Sequence, residues 1–397
     1  MLDMMKYWVW LSKLANIGDR RGKQLLEVFG GPYEVWNARE WELKALEFMT
    51  EHLVDNLLDN KARKNADTIV DDILRRGIDI VSIDRDEYPP NLRYITDPPL
   101  VIFRRGQKPT GSERYVAVVG SRHPSAYGCA VTRSLVRDLT LAGYTIVSGM
   151  AMGIDTVAHE SALNADGRTI AILACGPERA YPASNRRLAE RVREQGAIYS
   201  EHLPGTPPMQ QFFPWRNRII SGFSAAVLVT EAAKRSGALI TAGYAGDQGR
   251  DVFAVPGNIT SPLSQGTNAL IRDGAIPVTS VKDIVDALNP YLLDGQVHLA
   301  QQSLASGGFE AHSTGRVGIG KEHSRVTGVL SPNLKRLPEN ELRIVKLLNE
   351  KGSMTVDSII KACGGTTGQI TSTLVLMELK GLLRSLSGSV YEISRIV

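Results

Sequence analysis

The sequence predicts an α/β protein whose central domain is a doubly wound, mostly parallel sheet, with a helical domain before it and a winged helix after it. Between Ile78 and Asn289, short β-branched segments alternate with helical ones, which is typical of repeated βα units. Leucine and charged residues recur at helical spacing before this region. Helical periodicity returns near the C-terminus, after a stretch that is poor in large apolar side chains.

The size and charge of the chain set broad limits on its function. Its 397 residues are enough for two or three domains, each with its own core. The formal net charge of +4 and the pI of about 8.8 suit a polyanionic partner, but an ordinary cytosolic protein with a slightly basic surface explains them equally well. The three cysteines lack C-x-x-C spacing, so neither a zinc site nor a disulfide framework is predicted. A reducing, cytoplasmic location is therefore expected.

The first domain, residues 1–76, is predicted to be all helical. Its apolar stretch Tyr7–Leu11 is too short for a signal peptide or a membrane span, so we expect a soluble protein with no membrane partner. Residues 14–19, followed by two leucines, resemble a helix-hairpin-helix turn, in which backbone N–H groups bind phosphate. Asn16 stands where that motif usually has glycine, and asparagine tolerates the left-handed conformation. A plain helical hairpin packed on its neighbour is the favoured interpretation.

Residues 77–289 form the predicted central domain, of the Rossmann-like type. Gly143, Gly167, Gly196 and Gly249 stand between a helical segment and the next strand, where a helix C-cap needs a left-handed residue. This pattern favours parallel strands covered by helices on both faces of the sheet. The predicted strands are 115–119, 144–148, 169–174, 197–200, 225–230 and 251–255.

The C-terminal part of the chain is predicted to be a linker followed by a small domain. Residues 290–336 have few large apolar side chains to offset the entropy of ordering, so we expect a flexible linker. Residues 337–397 contain three helical segments and a β-hairpin, the order of a winged helix. Its predicted recognition helix, Thr366–Lys380, carries a single cation, Lys380. Protein contact is therefore at least as well supported as DNA contact for this domain.

The residues just after each parallel strand are the expected ligand site, because ligands of a doubly wound sheet bind beyond the carboxyl ends of its strands. Glycines there let a phosphate approach the backbone, and the starts of the following helices favour negative charge. Arg122 is the strongest candidate for binding the ligand, because its planar guanidinium suits a phosphate. A surface arginine paired with a carboxylate is the plainer alternative. Asn185, Arg186 and Arg187, near a later helix start, would add an electropositive rim.

The segment Phe213–Gly222 brings two more cations, Arg216 and Arg218, to a predicted helix start beside aromatic side chains. Cations interleaved with aromatic residues suit a single nucleic-acid strand, whose phosphates and bases both need partners. An alternative, held equally, is that Phe213 and Trp215 are packed against the protein and only the arginines are exposed.

Asp155 and His159 lie four residues apart and share a helix face, as two ligands of a metal would. Two ligands are too few for a site, and no cluster of His or Cys lies near them in the sequence, so no metal is predicted. Hydrogen bonding of Asp155 within its own turn is the favoured role.

A series of motifs runs in order along the central domain: 118–122, 148–155 with 158–159, 181–182 with 185, 213–221, 236–237 with 241–242, 249–257 and 266–271. In their order and spacing, they resemble the DNA-processing protein A family, also called DprA or Smf. The helical first domain and the winged helix are similar to the flanking domains of that family, so the resemblance covers the full length.

The resemblance implies a cytoplasmic protein that binds single-stranded DNA through its Rossmann-like domain and self-associates as a homodimer or a larger oligomer. It also implies that the protein protects incoming DNA and loads RecA recombinase in natural transformation, with no catalytic role and no cofactor. Arg122 matches the family's DNA-contacting arginine, and Arg216 and Arg218 match its Phe-Pro-x-Arg-Asn-Arg motif. The expected DNA-binding residues are Ser121, Arg122, Gly149, Gly153, Asn185, Arg186, Arg216, Asn217, Arg218, Ser236, Gly237, Thr241, Gly266, Thr267 and Asn268.

An enzymatic alternative stays open at this point. Nucleotide phosphoribohydrolases that resemble the lysine-decarboxylase-like family share the fold type and carry a Pro-Gly-Gly-x-Gly-Thr-x-x-Glu loop. This chain has Glu231–Gly237 after the equivalent strand and lacks that signature. A scaffold that acts only through its terminal domains would leave the arginines around the predicted site without a role. The sequence therefore favours DNA binding.

Overall fold

The structure is a computed structural model of the chain, and it describes residues 2–288, 339–351, 354–363, 370, 373–374, 377, 383–386 and 390–393. The chain divides between residues 289 and 290 into two compact units. The predicted linker over 290–336 lies outside the described residues. Among the helices that the structure describes, none is long and apolar enough to cross a bilayer.

The N-terminal domain is helical, as the sequence predicts. Trp10 and Leu11 are fully buried at its centre, and the ring of Trp10 meets that of Trp36 edge to face at a centroid distance of 4.9 Å. Apolar side chains from the surrounding helices complete this core. The helices are α1 (Leu2–Val9), a π-helical turn (Trp10–Leu14), α2 (Asp19–Phe29), α3 (Pro32–Asn37), α4 (Glu40–Lys44), α5 (Glu51–Leu58) and α6 (Asn60–Arg75).

The turn before α2 joins this domain to the sheet. Asn16 and Gly18 have positive φ angles of 50° and 76°, which asparagine and glycine tolerate better than other residues. In the first turn of α2, Asp19 Oδ1 accepts hydrogen bonds from the Leu100 N–H at 3.2 Å and from the Ser12 hydroxyl at 3.1 Å. The hairpin therefore packs on its neighbour, in agreement with the favoured interpretation.

Within residues 2–288 the strands form one nine-stranded sheet. Its strands are β1 (Asp79–Ser82), β2 (Val101–Gly106), β3 (Arg114–Val119), β4 (Tyr144–Ser148), β5 (Thr169–Leu173), β6 (Ala197–Ser200), β7 (Ala226–Val229), β8 (Asp251–Ala254) and β9 (Ile276–Pro277). The six predicted strands are β3 to β8, and each lies within one residue of its predicted ends. The sequence analysis missed β1 and β9, which are the two edge strands, and also β2, which lies next to β1.

Strand β2 was missed because a charged residue interrupts its apolar pattern. Arg104 is fully buried in this strand, where its guanidinium pairs with Asp79 and Glu87, each at 2.7 Å. Both partners are distant in sequence, and only the tertiary fold supplies the counter-charges that make burial of an arginine tolerable.

The order of the strands fixes where a ligand can bind. The order is β1-β2-β6-β5-β4-β3-β7-β8-β9. In this order, all neighbours from β6 through β3 to β9 are parallel. The chain enters the parallel part at β3, moves outward through β4, β5 and β6, and then returns to the other side of β3 as β7. The topological switch point therefore lies between the carboxyl ends of β3 and β7.

Helices cover both faces of the parallel strands. Alternate side chains of β3 point to opposite faces, so Tyr115, Ala117 and Val119 join one core while Val116 and Val118 join the other. The covering helices are α7 (Ala126–Leu141), α8 (Ile154–Asn164), α9 (Arg186–Gln195), α10 (Phe212–Phe223), α11 (Ala238–Asp247), α12 (Gln265–Arg272) and α13 (Val281–Leu288). The predicted Rossmann-like arrangement is confirmed.

Two of the four predicted left-handed glycines have the expected conformation. Gly143 and Gly249 have φ angles of 81° and 66°. The prediction is wrong for Gly167 and Gly196. Gly196 has a φ of −151°, and an added Cβ there would lie only 1.9 Å from the carbonyl oxygen of Thr169. Close approach of the neighbouring strand, and not backbone handedness, requires glycine at position 196.

The second unit contains α14 (Glu339–Lys351), β10 (Met354–Thr355), α15 (Val356–Cys363), β11 (Leu383–Leu386) and β12 (Val390–Ile393). Strands β11 and β12 form the predicted antiparallel hairpin, and β10 pairs with β12. Ile344, Leu348, Ile359 and Leu374 are buried in a common core. Lys380, the cation of the predicted recognition helix, lies outside the described residues.

Candidate nucleic-acid interface

A cavity of about 510 Å³ opens at the switch point, where the sequence analysis expects the ligand. Its walls come from the segment after β3, from the first turns of α10 and α11, and from the segment after β7. The side chains and backbone groups that line it include Gly120, Ser121, Arg122, Ala151, Asp155, Phe213, Pro214, Arg216, Asn217, Arg235, Ser236, Gly237, Ile240 and Thr241.

Arg122 is exposed at this cavity, where β3 ends. Its guanidinium carbon lies 5.6 Å from the centroid of the Phe213 ring, within the range of a cation–π contact. The ring of Tyr181 lies 5.4 Å from that of Phe213 on the same surface. The neighbouring Ser121 is buried, and its backbone N–H donates to the carbonyl oxygen of Glu231 at 2.7 Å. Arg122 is therefore an exposed cation on a fixed backbone beside the ring of Phe213, which contacts Tyr181 in turn.

The start of α7, which follows this turn, is already occupied by a carboxylate. Glu231 accepts hydrogen bonds from the Ser125 N–H at 2.8 Å and from the Ser125 hydroxyl at 2.6 Å. The Ser125 hydroxyl oxygen accepts in turn from the Gly128 N–H at 3.1 Å. A phosphate at this helix start would meet negative charge, so the expectation that helix starts favour the ligand is wrong for α7.

Arg216 lies beneath the cavity wall and is not exposed to solvent. Only 4% of its surface is accessible, and its Nη1 donates to the carbonyl oxygens of Gly149, at 2.7 Å, and Ile172. Asp155 Oδ2 accepts from the Gly149 and Ala151 N–H groups at 3.1 and 3.3 Å. The carboxylate and the guanidinium thus hold the segment after β4 from two sides. These bonds agree with the predicted role of Asp155 in its own turn.

Burial dominates the electrostatics of this pair. It raises the pKa of Asp155, although the charge of Arg216 opposes the shift. It lowers the pKa of Arg216 to about 10, although Asp155 opposes that shift too. No group of three or more His, Cys, Asp and Glu side chains that could hold a metal occurs among the described residues.

Arg218 is also buried, with 2% of its surface accessible. It forms an ion pair with Glu201 and donates to the carbonyl oxygen of Asp97. Burial raises the pKa of Glu201, and the Arg218 charge opposes this. Trp215 lies with its ring 4.4 Å from the Arg218 guanidinium carbon and is 44% exposed.

The prediction that Arg216 and Arg218 are exposed cations is therefore wrong, and so is the alternative that buries the aromatic rings. The arginines are inside and the rings of Phe213 and Trp215 reach the surface. An arginine can be buried where carbonyl and carboxylate oxygens satisfy its donors. Those oxygens belong to distant segments, so no local sequence pattern indicates them.

Two of the glycines predicted to admit a phosphate, Gly149 and Gly153, are instead approached by other parts of the protein. An added Cβ at Gly149 would lie 2.6 Å from the Arg216 guanidinium. At Gly153, which has a φ of 81°, it would lie 2.3 Å from the carbonyl oxygen of Ser121. Both positions need glycine because the segments that carry Arg122 and Arg216 approach the backbone there.

The opposite wall follows β7 and contains predicted and missed residues. Ser236, Gly237 and Thr241 line the cavity, as does Asn217, whose Nδ2 donates to the Gly237 carbonyl oxygen at 3.4 Å. Arg235 is exposed on this wall and was not among the predicted residues. A cation directly before Ser-Gly after a parallel strand is the same signal that identified Arg122, and it could have found Arg235.

Asn185 is predicted to contact DNA but is buried. Its amide donates to the carbonyl oxygen of Met150 at 3.0 Å and to the hydroxyl of Thr156 at 2.8 Å, so it is not available to a ligand. Arg186 is exposed at the first position of α9. The rim predicted at this helix therefore consists of its arginines alone.

The last three predicted residues do not reach the cavity. The Gly266 N–H donates to the Ala232 carbonyl oxygen, and the Thr267 hydroxyl donates to the Ser264 carbonyl oxygen. Asn268 exchanges two hydrogen bonds with the backbone of Gly257, at 3.1 and 3.0 Å. They connect the loops after β7 and β8, and these polar groups are used within the protein, away from the cavity.

Comparison with known proteins agrees with this architecture. The family model described as DNA recombination-mediator protein A matches residues 79–289, which is more than half of the chain. The chain belongs to this family. The model of the DprA winged helix domain matches residues 330–389, which confirms the predicted winged helix.

Relatives of the family are similar over long stretches. Protein Smf of Synechocystis is 31% identical over 397 residues, which cover 97% of this chain and 98% of the relative. DNA processing protein DprA of Bacillus subtilis is 42% identical over 214 residues, 54% of this chain and 72% of the relative. The X-ray structure of DNA processing protein A from Streptococcus pneumoniae matches with a TM-score of 0.60 at 33% identity, over 70% of this chain and 96% of that one.

A first prediction for this family member concerns His159, which is fully buried. The Thr169 hydroxyl donates to the Ile146 carbonyl oxygen and so accepts from His159 Nδ1, each at 2.8 Å. The proton is therefore on Nδ1, and Nε2 has no hydrogen-bond partner among the described residues. Burial, and secondarily Arg216, lowers the pKa of His159 to about 3.

The unfolded chain takes up a proton on His159 near pH 6.5, whereas the folded chain excludes it until about pH 3. The contribution of neutral His159 to the free energy of unfolding is therefore fully present above pH 6.5 and is lost as the pH falls towards 3. His159→Gln should reduce the loss of unfolding free energy between pH 7 and pH 5 by about 2 kcal/mol. Urea denaturation followed by near-ultraviolet circular dichroism measures this. An unchanged pH dependence in the variant would contradict the lowered pKa of folded His159.

A second prediction separates buried from exposed arginines. Arg218→Ala leaves Glu201 buried without its partner, and we expect a loss of about 3 to 5 kcal/mol of unfolding free energy. Arg187→Ala, at an exposed position of α9, is the matched control and should change stability by less than about 0.5 kcal/mol. Equal stabilities for the two variants in the same denaturation experiment would show that the Arg218–Glu201 pair does not support the fold.

Proposed function

We propose that this chain binds single-stranded DNA in the cavity at the carboxyl ends of β3 and β7, protects the strand, and loads RecA recombinase onto it during natural transformation. The observation that carries the proposal is the position of Arg122, an exposed guanidinium beside the ring of Phe213 at the cavity. A guanidinium can bind a phosphate in two-point geometry, and an adjacent ring can stack on a base.

A single strand fits this surface better than a duplex. The half-buried ring of Phe213 and the exposed ring of Tyr181 offer faces for stacking, and bases in a duplex are already stacked on one another. A flexible strand can also bend into a cavity that a stiff duplex cannot enter. Arg235 on the opposite wall supplies a second cation for the backbone.

The proposed contacts divide into two groups. Direct contacts come from exposed or cavity-lining groups: Ser121, Arg122, Asn217, Arg235, Ser236, Gly237 and Thr241, with Arg186 on the rim. Gly149, Gly153 and Arg216 act indirectly, because they hold the segments that shape the cavity.

Family membership supports the rest of the proposal. The family is described as a recombination mediator, and relatives are named DNA processing proteins. Transfer of the strand to a recombinase is the step that such a description suggests, and we propose RecA as the partner. Self-association as a homodimer or larger oligomer, which the resemblance implies, belongs to the same proposal.

We propose binding without catalysis. Asp155 is the carboxylate at the cavity among the described lining residues, and its Oδ2 accepts two backbone hydrogen bonds. Glu231, nearby, is engaged at the start of α7. A hydrolase of nucleotides would need a carboxylate that is free to act on substrate or water.

A third prediction tests the central residue. Arg122→Ala should lower the affinity for an oligothymidylate by an order of magnitude or more, because a charge-assisted two-point contact contributes about 1.5 to 3 kcal/mol. Arg122→Lys should recover only part of this affinity, because an ammonium group lacks the planar fork. Fluorescence anisotropy gives the affinities. The melting temperature should not change, since the side chain is exposed. Normal binding by the alanine variant would remove Arg122 from the site.

A fourth prediction concerns salt and strand type. Binding to single-stranded DNA should weaken steeply with salt, with a logarithmic slope of roughly 0.7 for each phosphate contacted, and should depend little on sequence. Duplex DNA of equal length should bind more weakly at every salt concentration. Incubation with nucleoside monophosphates should release no base. Affinity that is insensitive to salt would contradict binding through phosphate contacts, and release of base would favour the enzymatic alternative.

A further inference from the structure

A second concave surface lies on the other side of α10, between the helical domain and the sheet. This groove has a volume of about 720 Å³, and its lining includes Arg20 and Arg21 from α2, Phe48 and Glu47 from the helical domain, and Asp97 and Trp215 from the central domain. The groove contains the hairpin that resembles a helix-hairpin-helix motif. This hairpin does not line the cavity at β3.

Trp215 is held in this groove as a rigid, exposed ring. The ring packs on Arg218, whose guanidinium carbon lies 4.4 Å from the ring centroid. Arg218 is fixed in turn by its ion pair with Glu201 and its bond to the Asp97 carbonyl. Even so, 44% of Trp215 is exposed. Because this exposed ring is already fixed in place, it loses little further conformational entropy when a flat ligand stacks on it.

The groove is next to the cavity along the chain. Phe213 lines the cavity and Trp215 lines the groove, and both belong to the first turn of α10. Two residues apart on a helix, their side chains point to different sides of the same turn. A strand that leaves the cavity over this turn would reach the Trp215 ring.

The charges of the groove are mixed, and they identify where a strand would lie. Arg20 and Arg21 are exposed on α2. Asp19 at the start of that helix is engaged by the Leu100 N–H and by Lys13, 3.9 Å away. Glu47 is exposed, and its carboxylate and that of the half-buried Asp97 would repel a phosphate. A polyanion here would depend on the arginines and on stacking, and it would gain affinity from removal of Glu47.

We propose that this groove is a second subsite for the same single strand, in which Trp215 stacks on a base and the α2 arginines face the backbone. The proposal rests on the proposed function, because the strand must first occupy the cavity at Arg122. It predicts that the groove contributes only when the strand is long enough to leave the cavity.

Oligothymidylates of two lengths separate the two sites. We choose about 4 and about 16 nucleotides, the limits of common single-strand site sizes. Trp215→Ala should weaken binding of the long strand about tenfold, the loss of one stacked base, and leave the short strand unchanged. Trp41→Ala, which removes a 64% exposed tryptophan outside the groove, is the matched control and should affect neither. Equal effects of Trp215→Ala on both lengths, or none on either, would overturn the groove proposal.

Fluorescence gives a readout that a purely structural role of Trp215 would not produce. The chain has five tryptophans, and stacking on a base should quench the emission of Trp215 when the long strand binds. Trp215→Phe keeps an aromatic ring and should retain most of the affinity while losing this quenching. Trp41→Phe should keep the quenching. Quenching of the wild type by the short strand to the same extent would contradict the assignment.

Charge variants test the kind of partner. Arg21→Ala should weaken binding of the long strand several-fold, whereas Lys23→Ala, at an exposed position of the same helix outside the groove, should have a smaller effect. Glu47→Gln should tighten it. Weaker binding of the long strand by Glu47→Gln would overturn the proposal. If the wild type binds neither length, the proposed function itself fails, and the groove variants are not needed to show it.

Discussion

The candidate site depends on the buried guanidinium of Arg216. It connects the segment after β4, through the Gly149 carbonyl, to strand β5 through the Ile172 carbonyl, while Asp155 holds the N–H groups of the same segment. A charge buried this deeply is tolerated because carbonyl oxygens accept its hydrogen bonds and the Asp155 carboxylate favours its positive charge. The segment it holds packs through Gly153 against the backbone of Ser121 and Arg122. The buried Arg216 therefore helps to fix the backbone that carries the exposed Arg122.

Helix α10 has a corresponding division of roles. Arg216 and Arg218 point inward to opposite parts of the protein, whereas the rings of Phe213 and Trp215 reach the surface on either side of the first turn. The charges that ligands could use therefore come from other elements, Arg122 after β3 and Arg235 after β7. The buried arginines give rigidity, and a rigid surface loses less entropy when a flexible strand binds to it.

Local pattern was sufficient for much of the fold and for part of the site. Strands β3 to β8 were predicted because their β-branched runs are bounded by glycine, and the switch point follows from their parallel order. Arg122 was predicted because a cation directly after a parallel strand lies at the carboxyl edge of the sheet, where ligands bind. Strand β2 was missed because buried Arg104 looks polar in sequence, and its partners Asp79 and Glu87 are supplied only by folding.

The sequence by itself determined the order of domains, the parallel sheet, its ligand-binding edge and the family resemblance, since each rests on periodicity or on spacing along the chain. Only the tertiary structure decided which arginines are exposed and which glycines are approached by other segments of the protein. It also decided that Asn185 and Asn268 form hydrogen bonds within the protein. The physical reason is that the environment of a polar side chain depends on acceptors and donors far away in sequence. Arg218 is buried because Glu201 and the Asp97 carbonyl meet it there, whereas Arg122 is exposed, and among the described residues it contacts the ring of Phe213.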